Sequence, residues 1–493
     1  MTFRTSTSDQ SASWGLEGVC RTIRYLGAAA AMCAAMAGSG TFAATGIAFW
    51  ALSGSAQAQT LQETLAETYR TNPDIRAERA NLRATNEDLS QALAGYRPTI
   101  QGEASVTARS SESPSQLQPG RTAQRVNPAE VGISLSQPLY RGGRTVASVE
   151  QAEAVIQARR AALADVEQSV LLSAVVAHVD LVQARAVLAL ARNNESVISR
   201  QLQATRDRFS VGEVTRTDVS LAESRLAAAE SQTIAAEGSL RNARAAYERV
   251  VGVPPGEDVD EPSGAPPGIP ASLEEALTLA ESANPRVTVA LFTERAAQAG
   301  VDVARGGLLP EVTLNASVSR SYSDIAESMP SDSISLTARL TVPLYQAGAQ
   351  SSRVRQAREQ ASQRRIEVES VRRGTISDAI EAWETVATAR SQIQSLNAQV
   401  QAQQVALNGV REEAQVGERT PLDVLDAEQD LLDAQVDLVE AQRNLFVAHY
   451  QLLSSAGRLR ASELGLDVDL YDIEPAYQRS RDAWWGTSVP EAE

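Results

Sequence analysis

Beyond residue 58 the chain has no cysteine, because its only two, Cys20 and Cys33, lie in an Ala-rich N-terminal stretch. The remainder therefore has no disulfide, no thiol nucleophile and no thiolate metal ligand. Histidine is equally scarce: His178 and His449 are the only two. Neither has a Cys, a second His or a carboxylate cluster close by in sequence, so no metal site is expected. No Ser-His-Asp set is recognisable, the carboxylates occur singly along helical segments, and the Gly-rich QPLYRGGR (Gln137 to Arg144) lacks the Lys-Ser/Thr ending of a phosphate loop. Neither catalysis nor a cofactor is expected. The net charge of -16 argues against nucleic acid as a partner. Past the N-terminal stretch there is no long uninterrupted apolar run, so no transmembrane helix is expected and any membrane crossing has to be made of strands.

The N-terminal stretch has the pattern of a secretory signal peptide over residues 1–58. Arg21 and Arg24 precede an apolar run reaching Leu52, and Ala56-Gln57-Ala58 offers a small-x-small cleavage site. A membrane anchor is the alternative reading, weakened by Gly38, Gly40 and Gly46. The mature chain is expected from about Gln59, without a lipid anchor, since neither cysteine directly precedes that start.

What the chain does have, it has twice. Leu61 to Pro98 and Leu273 to Pro310 share an early Asn-Pro and a closing Pro, both displaced by 212 positions. QPLYRGGR is answered by VPLYQAGA (Val342 to Ala349), and VGEVTRTDVSLAE (Val211 to Glu223) by VGERTPLDVLDAE (Val416 to Glu428), displaced by 205. Such self-similarity marks a duplicated unit. The expected organisation is a first repeat at 59–252, a Pro/Gly-rich linker at 253–270, a second repeat at 271–464 and a partly disordered C-terminal tail at 465–493.

Each repeat reads as helix, strand, strand, very long helix, turn, helix. Arg144 to about Ser210 contains no proline or glycine and is rich in strong helix formers, which predicts a rod about 100 Å long. Its counterpart runs from about Gln350 to Gln415. The shorter helices, Leu61 to Gly95 with Thr217 to Val250, and Leu273 to Leu308 with Leu422 to Gly457, nearly add up to the rod length. Two short helices stacked end to end beside each rod are therefore expected. Ala at contact positions such as Ala152, Ala158 and Ala174 permits close approach, and polar positions such as Gln151 and Arg159 imply two wet faces.

Between the helices, period-two alternation predicts four strands: Thr99 to Arg109, Val131 to Ser136, Val312 to Ser319 and Ile334 to Val342. One face of each is smooth and apolar, as in an outer-membrane barrel, although a soluble sandwich strand has the same period. Four strands cannot close a useful bore and lipid tolerates no open edge, so several protomers would have to share one barrel. Ser110 to Glu130 and Ser323 to Asp332 read as polar loops. Pro98, Pro138, Pro310 and Pro343 are expected at helix-strand junctions, where a missing donor and a fixed φ help the chain change element.

RTPLDVLDAEQDLLDAQVDLVEAQRNLFVAHYQLL (Arg419 to Leu453), preceded by VGE, together with RFSVGEVTRTDVSLAESRLAAAE (Arg208 to Glu230), the paired PLY turns and the Asn-Pro in each first helix, resembles the TolC family of outer-membrane efflux and secretion channels. The resemblance covers about Leu61 to Leu464. It implies a mixed α/β outer-membrane duct built by a homotrimer: twelve strands, four from each chain, in one barrel embedded in outer-membrane lipid, and twelve helical rods forming a periplasmic tunnel. It further implies a periplasmic adaptor protein and an inner-membrane pump, ABC or proton-driven, as partners, and a role in efflux or type I secretion.

Gly212 and Gly417 fall where each rod must end, Thr215 or Thr217 and Thr420 are candidate N-caps of the returning helices, and Asp218 and Asp423 place carboxylates in their first turns. With Val211 and Val416 these residues are either turn chemistry alone or, as the resemblance implies, also adaptor-docking tips. Asn408, Arg411, Glu412, Glu413 and Glu418 are candidates for a periplasmic gate, with a solvated helix surface as the alternative; Asn408 stands where an acid is expected from the resemblance. The competing account is a structural or adaptor-like periplasmic coiled coil without a channel; an enzyme on a helical scaffold is a third.

Overall fold

The computed structural model describes residues 59–114, 121–256, 258–261, 264–322 and 330–488. The expected signal peptide, most of the Ser323 to Asp332 loop and the last five residues lie outside the described residues. The elements run α1 (Leu61–Thr71), α2 (Pro73–Leu93), β1 (Thr99–Val106), β2 (Arg109–Pro114), β3 (Arg121–Val126), β4 (Ala129–Arg141), α3 (Arg144–Ser210), α4 (Arg216–Val251), α5 (Leu273–Ser282), α6 (Pro285–Gly306), β5 (Glu311–Tyr322), β6 (Ser331–Thr341), α7 (Ala349–Gln415), α8 (Pro421–Ser455) and α9 (Glu474–Asp482).

Both rods, α3 and α7, are 67 residues long, or about 100 Å at the helical rise. In the first repeat α1 and α2 lie along one half of α3 and α4 along the other; in the second, α5 and α6 share α7 with α8 in the same way. The first short helix of each repeat is not continuous as the sequence suggests but breaks at the Asn-Pro. Proline has no N–H and clashes with the preceding turn, so Asn72 and Asn284 turn extended and cap the helix that follows, each accepting from the N–H two residues on at 2.9 Å. Their amide nitrogens donate across the rod junction to Val250 O and Ser455 O, both at 2.9 Å.

The main core lies at this junction, midway along α3. Leu65, Leu171, Val175, Leu181, Tyr247 and Leu453 are all buried there. This belt changes one sequence expectation: α3 does contain a window long and apolar enough, by length and composition, to cross a membrane. Leu171, Ala174, Val175 and Leu181 of α3 are fully enclosed by protein, so their apolar character is explained by packing.

The sheet is antiparallel in the order β1-β4-β5-β6, with β1 and β6 at its edges. Its alternation is as expected, and β1 and β6 are exposed along their whole lengths. Ile100, Val106, Ile133, Val318, Ile334 and Leu336 project from one face, uncovered, with Ile334 82% exposed. Thr99, Gln101, Glu103, Ser134, Ser317 and Arg339 belong to the other face by register. Two strand-region expectations need correction. Most of the segment Ser110 to Glu130, read as a loop, is a second hairpin in which β2 pairs with β3 from Arg109↔Val126 to Pro114↔Arg121. Pro128 has no N–H, so only Thr107 N donates, to Pro128 O at 2.9 Å, and the ladder restarts beyond it. Pro138 is not at a border but inside β4, at a register shift between Pro138 and Tyr140, where a bulge tolerates its missing donor. Pro98 and Pro310 directly precede β1 and β5, and Pro343 follows β6.

Past Leu464 the chain returns along α2 and forms α9 against it. Three arginines hold it. Arg79 lies 4.6 Å from the Tyr69 ring and 5.0 Å from Tyr471, Arg160 4.9 Å from Tyr477, and Arg97 4.6 Å from Trp484. We expect Asn72→Ala and Asn284→Ala each to cost about 2 kcal/mol, combining a lost cap with a stranded buried carbonyl. Thermal melting followed by circular dichroism should show comparable losses for the two variants.

Candidate functional site: the hairpin tips

Each rod ends in a tip with the sequence Val-Gly-Glu-x-Thr, and the two tips fold alike. At the first, Gly212 N donates to Phe209 O and Glu213 N to Arg208 O, both at 3.0 Å, the two bonds that satisfy the last carbonyls of a helix closed by a left-handed residue. Gly212 has φ +84 and Gly417 φ +86, a region costly for any residue with a Cβ. At the second tip Glu418 N donates to Glu413 O at 3.0 Å. The returning helices start at Thr215 and Thr420, so Thr217 is not the cap. Thr215 N donates to Asp218 Oδ2 at 2.7 Å and Asp218 N to Thr215 Oγ1 at 3.3 Å; Thr420 and Asp423 repeat this at 2.8 and 3.2 Å. The donated Thr N–H holds each aspartate below the usual carboxylate range.

Between these two capped ends the side chains point outward. Val211 is 71% exposed and Val416 75%. A tip that is rigid in backbone and apolar at its apex presents contact area without a large ordering cost.

The tips are not independent. Arg206 pairs with Glu223 at 2.7 Å and ties α3 to α4; Arg411 pairs with Glu428, which is buried, and ties α7 to α8. Arg225 pairs with Asp426 and joins α4 to α8. Beneath them Ile198, Leu202, Ala222, Ala229 and Leu425 form a small core of their own. Of the five gate candidates, Arg411 is thus engaged within its own hairpin, Glu413 pairs with Arg419 at 2.9 Å, and Asn408 accepts from Gln404 at 3.3 Å. Glu412 and Glu418 are exposed and make no ion pair among the described residues. Sequence reasoning missed Glu428, Arg225 and Asp426. A signal existed for the first: Arg206 with Glu223 and Arg411 with Glu428 are the same pair under the 205-residue displacement.

The two histidines serve packing. His178 is fully enclosed; its Nδ1 lies 3.0 Å from Thr64 Oγ1, which is 3.0 Å from Tyr247 Oη, and its Nε2 lies 3.3 Å from Asp260 O. The carbonyl can only accept, so Nε2 carries the proton and Nδ1 is left as an acceptor facing the Thr64 hydroxyl, which also lies 3.1 Å from Thr60 O. His449 Nε2 faces Arg390 Nη2 at 3.3 Å. Burial, and for His449 also the Arg390 charge, lowers both imidazole pKa values. No group of His, Cys, Asp and Glu among the described residues could hold a metal ion.

Two measurements follow. Gly417→Val should strain the tip by about 1–2 kcal/mol without a clash, since nothing lies within 4 Å of an added Cβ; hydrogen exchange should rise at the ends of α7 and α8 and nowhere else. Because both folded-state pKa values are lowered, the histidines hold fewer protons in the folded chain than in the unfolded one below about pH 6.5. Stability is therefore full above that pH and falls as pH drops toward the lowered folded pKa values. Replacing both histidines with Gln should flatten the melting temperature between pH 7 and 5.5.

Comparison with known proteins agrees with this architecture. The family model described as outer membrane efflux protein matches residues 56–253 and 276–458, one stretch in each half. Outer membrane efflux protein BepC of Brucella suis biovar 1 (strain 1330) is 34% identical over 438 residues, covering 89% of this chain and 94% of that protein. Outer membrane protein TolC of Escherichia coli (strain K12) is 24% identical, covering 78% of this chain and 79% of its own. Among solved structures, the Campylobacter jejuni CmeC outer membrane channel superposes with a TM-score of 0.72 at 16% identity, covering 86% of this chain and 89% of that one. Two tip-to-strand repeats, an open apolar sheet and these matches lead to one assignment: the chain belongs to the outer membrane efflux protein family.

Proposed function

We propose that three copies of the chain form one exit duct, a shared twelve-stranded barrel in the outer membrane continued by a helical tunnel through the periplasm. The duct passively conducts substrates handed over by an inner-membrane pump, ABC or proton-driven, through a periplasmic adaptor. The observation that carries this reading is the sheet: four strands with one apolar face uncovered and both edges free. Lipid offers no hydrogen-bond partners to an open edge, so the edges have to meet those of other copies. Rods of this length reach far beyond a bilayer core of about 30 Å.

The tips are the adaptor's docking site in this reading. Val211, Gly212, Thr215 and Asp218, with Val416, Gly417, Thr420 and Asp423, offer two similar shapes per chain, so three chains offer six to a ring of adaptor hairpins. Glu412 and Glu418, exposed near the second tip, would form acidic rings around the inner mouth under threefold symmetry and bias it toward cations.

Protein extracted from outer membranes should have the mass of three chains. Gly212→Val with Gly417→Val should cut the yield of adaptor crosslinked to the duct at least threefold while trimer content stays unchanged. Undiminished capture by strained tips contradicts the docking role; a monomeric extract contradicts the duct.

A further inference from the structure

The duplication extends to the hydrogen-bond register of the sheet. Each β1–β4 pair becomes a β5–β6 pair when the first residue is advanced by 212 and the second by 205: Glu103↔Gly132 becomes Asn315↔Thr337, and Gly102↔Ile133 becomes Leu314↔Ala338. The same displacements relate the backbone specials. Gly142 (φ 60) corresponds to Ala347 (φ 50), the one non-glycine residue with positive φ among those described, and Gly143 (φ 77) to Gly348 (φ 78). The Asn72 and Asn284 caps correspond as well. The repeats therefore match at all of these positions, and one contact is left over. Within the chain the last strand of the first repeat, β4, pairs with the first strand of the second, β5. The last strand of the second repeat, β6, has no such neighbour among the described residues.

We propose that β6 of one copy pairs with β1 of the next in the register that β4 holds on β5. Transferring Ile133↔Val318, Leu135↔Ala316 and Gln137↔Leu314 places Ala338 opposite Val106, Leu340 opposite Ala104, and Val342 opposite Gly102 of the next copy. Beyond the bulge, Tyr140↔Val312 transfers to Tyr345 opposite Ile100. The exposures fit, since Tyr345 is 88% and Ile100 68% exposed in the single chain. On the polar face Ser134↔Ser317 and Ser136↔Asn315 transfer to Arg339 opposite Ser105 and Thr341 opposite Glu103. Arg339 then stands diagonal to Glu103 of the next copy on the same face, a separation that long side chains bridge. Neither residue has an ion pair within its own chain among the described residues. Inside a copy, Arg320 and Asp332, directly opposite each other, already form a cross-strand ion pair, at 2.5 and 2.7 Å.

The helices give the same answer from different residues. α3 packs on α6 within the chain, so α7 should pack on α2 of the next copy. The Asp165–Arg286 pair across the first contact, at 3.2 Å, transfers to Ser370 and Asp74. The acidic side has moved to α2. On α7 the exposed Arg355, Arg358, Arg365 and Arg372, with Glu359 among them, have no ion pair among the described residues, whereas α2 exposes Asp74 and Asp88 along with Arg76. The unpaired arginines of α7 would then find carboxylates in Asp74 and Asp88 of the next copy.

This inference rests on the shared-barrel reading, and one experiment separates the two. The mature chain lacks cysteine, so paired cysteines can be introduced cleanly. Directly opposite strand residues lie roughly 4.5–5.5 Å apart between Cα atoms, within disulfide reach. Ala104→Cys with Leu340→Cys should oxidise to covalent trimers that survive boiling in detergent, at least fivefold more than Ala104→Cys with Ala338→Cys or Gly102→Cys with Leu340→Cys. Glu103→Arg should lower the temperature at which uncrosslinked trimers dissociate, and adding Arg339→Glu should restore it. Trimers that crosslink best at an offset pair, or at none, overturn the register and leave the duct standing. A disulfide closed within one chain, or a monomer throughout, overturns both.

Discussion

The hydrocarbon of a bilayer supplies neither donors nor acceptors, and the rest of this structure depends on that constraint. A strand there must have both of its neighbours, and a sheet face turned to lipid must be apolar. The chain meets the second condition with Ile100, Ile133, Val318 and Ile334, but among the described residues β1 and β6 each have a strand partner on one side only. In the proposed duct the missing neighbours are supplied by further copies of the same chain. The duplication makes this workable: a unit that supplies two strands and pairs tail to head with its own copy inside the chain can do the same between chains.

Below the sheet the same unit solves a different problem, a long wall that is wet on both sides. The rods reach their length by stacking two short helices against one long one. Order is concentrated where the short helices meet, at the Leu171 to Leu181 belt with the Thr64–His178–Tyr247 contacts and the two Asn-Pro caps. The returning tail adds a clamp through three arginines against aromatic rings. Toward the tips the apolar core thins to a few residues and charged pairs carry the ties between helices. The far end of the rods therefore depends more on charged pairs, and less on buried apolar area, than the belt does.

Much of this was legible in residues. Duplicated Asn-Pro, PLY and Val-Gly-Glu segments gave the repeat; a run of helix formers gave rods within a residue or two of their observed ends; the threonines past each tip glycine gave the cap at the second tip, Thr420, and left Thr215 and Thr217 as alternatives at the first. The β2–β3 hairpin was hidden because RTAQRV offers little apolar alternation, its order coming from backbone pairing. Pro138 misled because proline marks a border or a bulge equally well, and only the register across β4 and β5 tells which. The arginines that hold the tail, and Glu428 under Arg411, could not be read directly, since each meets its partner through tertiary packing.

The central claim is that the chain encloses a continuous aqueous path, and ion conductance across a planar lipid bilayer tests it most directly. Protein purified as trimers should insert to give discrete, ohmic steps of one size. Trimers that insert and carry no current at any voltage would contradict the account.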